Sequence, residues 1–173
     1  DAARPRIELA QVLAKTGETA LAYQELLGAL EDAPSATSLI AGPLAELATR
    51  SNQTTAALAT LQALYAQSPS LDLLDAIVLL CGQNPACAET ARDWYAHHLE
   101  KEPSLVAAAK WLAVERLEHE QFHPQVQRAL DHATKPLLRY RCAACGFEAR
   151  QHFWQCPGCQ AWDSYPSQRI EEL

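Results

Sequence analysis

Methionine is missing from all 173 residues, glycine occurs only six times, and no apolar run is long enough to cross a bilayer. The longest such stretches, for example LLDAIVLLC from Leu73 to Cys81, contain an acid and fall far short of the roughly 20 residues a spanning helix requires. With so little glycine there is no phosphate-cradling loop, and no nucleophile-plus-base or paired-acid motif stands out, so an enzyme is not the expected class. The opening DAARPRIE is neither a start product nor a signal peptide, and the chain is therefore expected to be a piece of a longer protein. Positive charge is also short. The net charge is −7, and the whole excess lies in residues 1 to 138; from Arg139 onward four arginines face four acids. Such a surface repels phosphate, which argues against nucleic-acid binding. An apolar content of 49% excludes general disorder.

What is present is periodic. Pro34, Pro69, Pro103 and Pro136 stand 35, 34 and 33 residues apart, the period of a helical-pair array. Twelve residues before the first three prolines lie Ala22, Ala57 and Ala91, and eight before lie Leu26, Leu61 and Tyr95. Twenty-five before lie Leu9, Leu44 and Val78, followed by Ala10, Ala45 and Leu79. Small residues suit helix crossings, and each proline biases the preceding residue out of the helical region. This pattern resembles the tetratricopeptide repeat. The spacing puts Leu21, Leu26, Leu27 and Leu30 on one stripe, makes Asn52 an N-cap, and starts or bends a helix at Pro43, which would cost about 3 kcal/mol inside one. A fourth, degenerate unit pairs SLVAAAKWLAVERLEHE with PQVQRALDHAT. Because such pairs cannot bury their apolar faces alone, at least one further repeat is expected before Asp1.

The second feature is CAACGFEARQHFWQCPGC, in which Cys142/Cys145 and Cys156/Cys159 form two CxxC pairs separated by ten residues. Paired CxxC turns present four sulfurs to one ion, and the spacer is expected to form the two strands of a hairpin. Gly146 follows the first pair, where the turn needs positive φ, and Pro157-Gly158 presets the second. A thioredoxin-type dithiol would need a βαβ unit, which is absent; two disulfides remain an alternative. A segment of about 30 residues is too small to fold on a hydrophobic core alone, and a structural metal supplies on the order of 10 kcal/mol. Zinc is the expected ion, although four thiolates suit iron equally. Four cysteine ligands leave no open position for catalysis. Six of the chain's 12 aromatics, including Trp154 and Trp162, crowd between positions 140 and 165, as a minicore or as grips for a partner.

Repeats followed by YRCAACGFEARQHFWQCPGCQAWDSYP closely resemble the lipopolysaccharide assembly protein B family of Gram-negative bacteria. Tyr140, Arg141, Cys142, Cys145, Gly146, Phe147, Trp154, Cys156, Pro157, Cys159 and Trp162 carry the resemblance. It implies an all-α tetratricopeptide solenoid over residues 1–136 and a rubredoxin-like or zinc-ribbon module over 137–173. It further implies an adaptor held at the cytoplasmic face of the inner membrane by an N-terminal helix. The implied partners are a membrane-anchored AAA+ protease, the lipid A deacetylase it degrades, and a lipopolysaccharide-sensing membrane regulator. Gln11, Lys15, Glu46 and Arg50 are implied to face the repeat groove. The gap between the cysteine pairs is shorter than in rubredoxins, which argues against electron transfer; a rubredoxin-like electron carrier and a generic tetratricopeptide protein-interaction module are the alternatives. His119 and His123 are not expected to form a second metal site, His97 and His98 cannot face one another, and His152 is expected at the surface. Cys81 and Cys87, flanking GQNPA, are expected to be free thiols under reducing conditions. The metal module is expected to dock on the last helices through Trp111 and Phe122.

Overall fold

In a computed structural model the described residues are 3–85, 87–115 and 120–173; eight α-helices and one two-stranded antiparallel sheet lie among them. The chain divides into two compact units, residues 1–87 and 88–173. The division falls well before the boundary near residue 136 suggested by the cysteine module, because the last helices share hydrogen bonds with the C-terminal segment, described below.

In the first unit α1 (Arg4–Thr16) and α2 (Thr19–Asp32) form a hairpin. Gly17, at φ 93°, makes the turn, and the amides of Gly17 and Glu18 close on the Leu13 carbonyl. Ile7 and Ala10 of α1 are buried, as are Ala22, Tyr23, Leu26, Ala29 and Leu30 of α2. Leu21 is exposed and Leu27 only half-buried, so the buried stripe lies one residue round from the expected one. Alanine at positions 22 and 29 lets the helices approach closely, and Arg6 clasps the hairpin through Asp32 at 2.6 Å and Glu25 at 3.1 Å.

The next hairpin, α3 (Thr37–Arg50) and α4 (Thr54–Gln67), buries Ile40, Leu44, Ala45 and Ala48 against Ala57, Leu58, Leu61 and Tyr65. Helix α3 continues through Pro43, seven residues in, rather than starting there. Packing over most of its length outweighs the hydrogen bond that Pro43 cannot donate to Leu39. Asn52 does not cap α4. It takes the left-handed conformation, φ 60°, and ends α3 while the Gln53 amide donates to the Ala48 carbonyl, a role asparagine tolerates better than most residues. Helix α5 (Leu71–Gln83) is capped by Ser70, whose Oγ accepts from the Leu73 amide. Cys81 and Cys87 are joined in a disulfide rather than free: a turn in which the Cys87 amide donates to the Asn84 carbonyl brings the Cα atoms to 5.3 Å, inside the range a bridge requires.

The second unit contains α6 (Ala91–Lys101), opened by a Thr90/Asp93 capping box, α7 (Leu105–Val114) and α8 (His123–Thr134). Part of the helix expected after Ser104, and His119 with it, lies outside the described residues. Pro124 sits in the first turn of α8, where its missing N–H costs nothing. His123 Nε2 lies 2.9 Å from the Leu112 carbonyl, a structural contact rather than a ligand position.

Each of the four periodic prolines lies two residues beyond the last residue of α2, α4, α6 or α8. The equivalent positions are not equivalent in burial, however: Leu44 is wholly buried and Leu9 is 45% exposed. Leu44→Ala should therefore lower the unfolding free energy by about 3 kcal/mol, as core truncations do, and Leu9→Ala by less than about 1 kcal/mol, measured by urea denaturation.

A four-cysteine candidate metal centre

Strands β1 (Tyr140–Arg141) and β2 (Glu148–Ala149) pair antiparallel, Tyr140 with Ala149 and Arg141 with Glu148, and the first cysteine pair lies in the turn between them. The second pair is enclosed likewise by the bridge between Gln155 and Trp162. The ten-residue spacer thus does not make one hairpin by itself; it links two short hairpins, each tipped by a CxxC turn. Arg141 and Glu148 add an ion pair across the strands at 3.0 Å.

The two turns are copies of one another. Cys142 N donates to the Phe147 carbonyl and Cys156 N to the Ala161 carbonyl, each at 2.9 Å. Gly146 N donates to the Cys142 carbonyl and Gln160 N to the Cys156 carbonyl, each at 2.8 Å. In each turn the residue after the second cysteine is left-handed, Gly146 at φ 77° and Gln160 at φ 61°. Gln160 is a position the sequence reading missed, and its place directly after Cys159 was the available signal. Gly158 has a different reason to lack a side chain, since a Cβ there would press on the Phe147 ring at 3.2 Å.

All four Sγ atoms lie within 4.8 Å of one another, with Cys142 and Cys159 3.8 Å apart and Cys145 and Cys156 3.7 Å apart. A tetrahedral ion bonded to sulfur at about 2.3 Å places its ligands about 3.8 Å from each other. The spacing therefore fits one four-coordinate ion, whereas none of the four is disulfide-bonded.

Backbone amides prepare the sulfurs for charge. Ala144 and Cys145 donate to Cys142, and Gly158 and Cys159 to Cys156. Ser164 Oγ, 3.2 Å from Cys142 Sγ, is the largest influence holding that thiol down at about 6. Burial opposes ionisation of Cys156, yet the Cys159 and Gly158 amides outweigh it and its pKa falls. The Phe147 amide favours the Cys145 thiolate, but Cys159, burial and the remaining sulfurs together push that thiol up to about 12. Without an ion the cluster must keep protons to limit repulsion; a dication removes that need.

The aromatic residues form a minicore around His152, which is half-buried rather than at the surface. Its ring meets those of Trp154 at 4.7 Å, Tyr140 at 5.6 Å and Tyr165 at 6.0 Å, all edge-on. Burial pushes the His152 pKa down, so the ring is neutral. Burial, and then the Cys156 sulfur, push the Tyr165 hydroxyl up to about 12, and it donates to the Phe147 carbonyl at 3.2 Å. Trp154 thus belongs to the packing, while Trp162 is 55% exposed.

The module is tied to the helices of its unit, but not through Phe122, which is 61% exposed. Glu171 does the work. Its carboxylate accepts from the Leu105 amide at 2.7 Å, the Val106 amide at 3.0 Å and the Ser104 hydroxyl at 2.8 Å, capping the N-terminus of α7. The adjoining Ile170 amide donates to the Arg139 carbonyl, and Arg169 lies over the Tyr140 ring at 4.2 Å. In the other unit, Gln11, Lys15, Glu46 and Arg50 are brought together along one cleft of about 320 Å³ between α1 and α3.

Gly146→Ala should cost about 1 kcal/mol because alanine resists the left-handed region, and Gln160→Gly should change stability in the opposite direction by less than about 1 kcal/mol, both read from thermal unfolding of the metal-loaded protein. Acid should release the ion. The sulfurs bind an ion only as thiolates, so protons compete with it as the pH falls, and a metal indicator dye should report no release at pH 8 and release on titration to roughly pH 4.

A family profile described as a rubredoxin metal binding domain matches residues 140–165. Lipopolysaccharide assembly protein B from Escherichia coli K12, and its counterparts from strains O6:H1 and O157:H7, are 54% identical over 26 residues. That match covers 15% of this chain and only 7% of the length of each relative. No helix among the described residues is long and apolar enough to cross a membrane. Over this metal-binding segment, with its matched turns and four converging sulfurs, the chain is similar to the rubredoxin metal binding domain and to lipopolysaccharide assembly protein B.

Proposed function

We propose that the chain is part of a non-enzymatic adaptor that restrains lipopolysaccharide biosynthesis by promoting proteolysis of the committing lipid A deacetylase by a membrane-anchored AAA+ protease. The observation that carries this reading is the cysteine module, whose sequence matches proteins named for lipopolysaccharide assembly and whose geometry suits structure, not catalysis. Four cysteines fill a tetrahedral ion and leave no position for water or substrate. Cys142, Cys145, Cys156 and Cys159 would hold one zinc ion, which supplies folding energy to a segment too short to fold without it. The helical units supply surfaces for proteins, and a lipopolysaccharide-sensing membrane regulator is a further partner in this reading. The position is the cytoplasmic face of the inner membrane. There the Cys81–Cys87 bridge meets reducing conditions, under which bridges are transient.

A rubredoxin-like electron carrier is the second reading, favoured by the amide-to-sulfur hydrogen bonds of both turns. It requires iron with a reversible one-electron potential.

The test is the deacetylase half-life in cells whose only copy of the full-length protein carries Cys142→Ser and Cys156→Ser. A half-life several-fold longer than with the unaltered protein supports the adaptor. An unchanged half-life, with the variant present at normal abundance, contradicts it.

A further inference from the structure

The two cysteine turns repeat one another in their main-chain hydrogen bonds, but the side chains around them break that symmetry. Ser164 Oγ lies 3.2 Å from Cys142 Sγ, whereas the Tyr165 hydroxyl stands 3.9 Å from Cys156 Sγ and donates instead to the Phe147 carbonyl. Ser164 belongs to the chain leaving the second hairpin, yet it sits against the first. Asp163, left-handed at φ 49°, turns the backbone just beyond the bridge between Gln155 and Trp162, and the Ser164 carbonyl then accepts from the Ala143 amide at 2.7 Å. The main chain therefore holds residue 164 beside the first cysteine pair whatever its side chain. A turn serine is explained by the contact of its hydroxyl with the Ala161 carbonyl, three residues back, at 3.3 Å. That contact does not account for the approach to sulfur.

One proton decides what the hydroxyl does. With Cys142 as a thiol, its S–H donates to Ser164 Oγ and the hydroxyl donates onward to Ala161. A metal-bound Cys142 is a thiolate with no proton to give, so the hydroxyl can turn and donate to the sulfur. Turning orphans nothing, because the Ala161 carbonyl still accepts from the Cys156 amide at 2.9 Å. It gains a bond to a charged acceptor, which is the stronger kind. We infer that Ser164 is a positioning residue of the metal centre, whose hydroxyl donates to the metal-bound Cys142 sulfur and so tightens the hold on the ion. The inference rests on the reading of the four cysteines as a metal site, and it assigns a role to a side chain outside the four ligands.

Two measurements on the unaltered chain, Ser164→Ala and Ser164→Thr test it: zinc competition with a chromogenic chelator, and the sulfur-to-metal charge-transfer band of the cobalt-loaded protein. Alanine removes the hydroxyl and keeps the main-chain contact with Ala143; threonine keeps both. Ser164→Ala should bind zinc at least about ten-fold more weakly, as loss of an outer partner of a metal ligand does. Its cobalt band should move to lower energy, because the Cys142 sulfur loses a bond that stabilised its electrons. Ser164→Thr should restore both. The band is the readout that a merely structural loss would leave in place. An unmoved band, an unchanged zinc affinity, or a threonine variant that behaves as alanine does would each overturn the inference. An unaltered chain that binds neither zinc nor cobalt removes the metal centre along with it. An unmoved band beside a lengthened deacetylase half-life in the cysteine variant removes Ser164 alone and leaves the adaptor standing.

Discussion

Convergence of four sulfurs on one point is the constraint from which the end of this chain takes its form. Residues 140–165 possess two strands of two residues and a handful of aromatics, too little surface to offset chain entropy. An ion held by Cys142, Cys145, Cys156 and Cys159 would supply what burial cannot. The two hairpin turns are then forced into the same local geometry, because each must aim two sulfurs inward while its amides satisfy them. Gly146 and Gln160 adopt the same left-handed conformation for that reason, although only one of them is glycine.

The helices solve a different problem with ordinary means. Alanines at Ala22, Ala29, Ala41, Ala45, Ala48 and Ala57 are buried to within 1% exposure, so neighbouring backbones pack closely and leucines fill the remaining space. A proline stands two residues beyond the last residue of each of α2, α4, α6 and α8. Within the second unit the contact between module and helices is polar: Glu171 replaces the missing hydrogen-bond acceptors at the start of α7, coupling the C-terminal segment to a helix 66 residues earlier in the chain.

Legibility in the sequence followed the range of the interaction. The prolines and the cysteine spacing act over a few residues, and both could be read directly. Side-chain period gave a stripe on α2 but not which edge of it would be covered, so Leu21 was placed on that stripe although it faces solvent. Asn52 has the chemistry for a helix start and for a helix end, and only the packing of α3 decides between them. The hairpin expected in the spacer became two hairpins because strand pairing reached outward to Tyr140 and Trp162. Glu171 and the bridge between Cys81 and Cys87 were hidden for the opposite reasons: one partner is distant in sequence, and the other depends on how a short turn closes.

Two-dimensional NMR of the isotopically labelled chain before and after chelation tests the central claim most directly. The account predicts one bound metal ion per chain, collapse of the dispersed amide signals of residues 140–165 on chelation, and persistence of the helical signals of residues 3–85. Retention of the dispersed signals from Cys142 to Cys159 in the metal-free protein would contradict it.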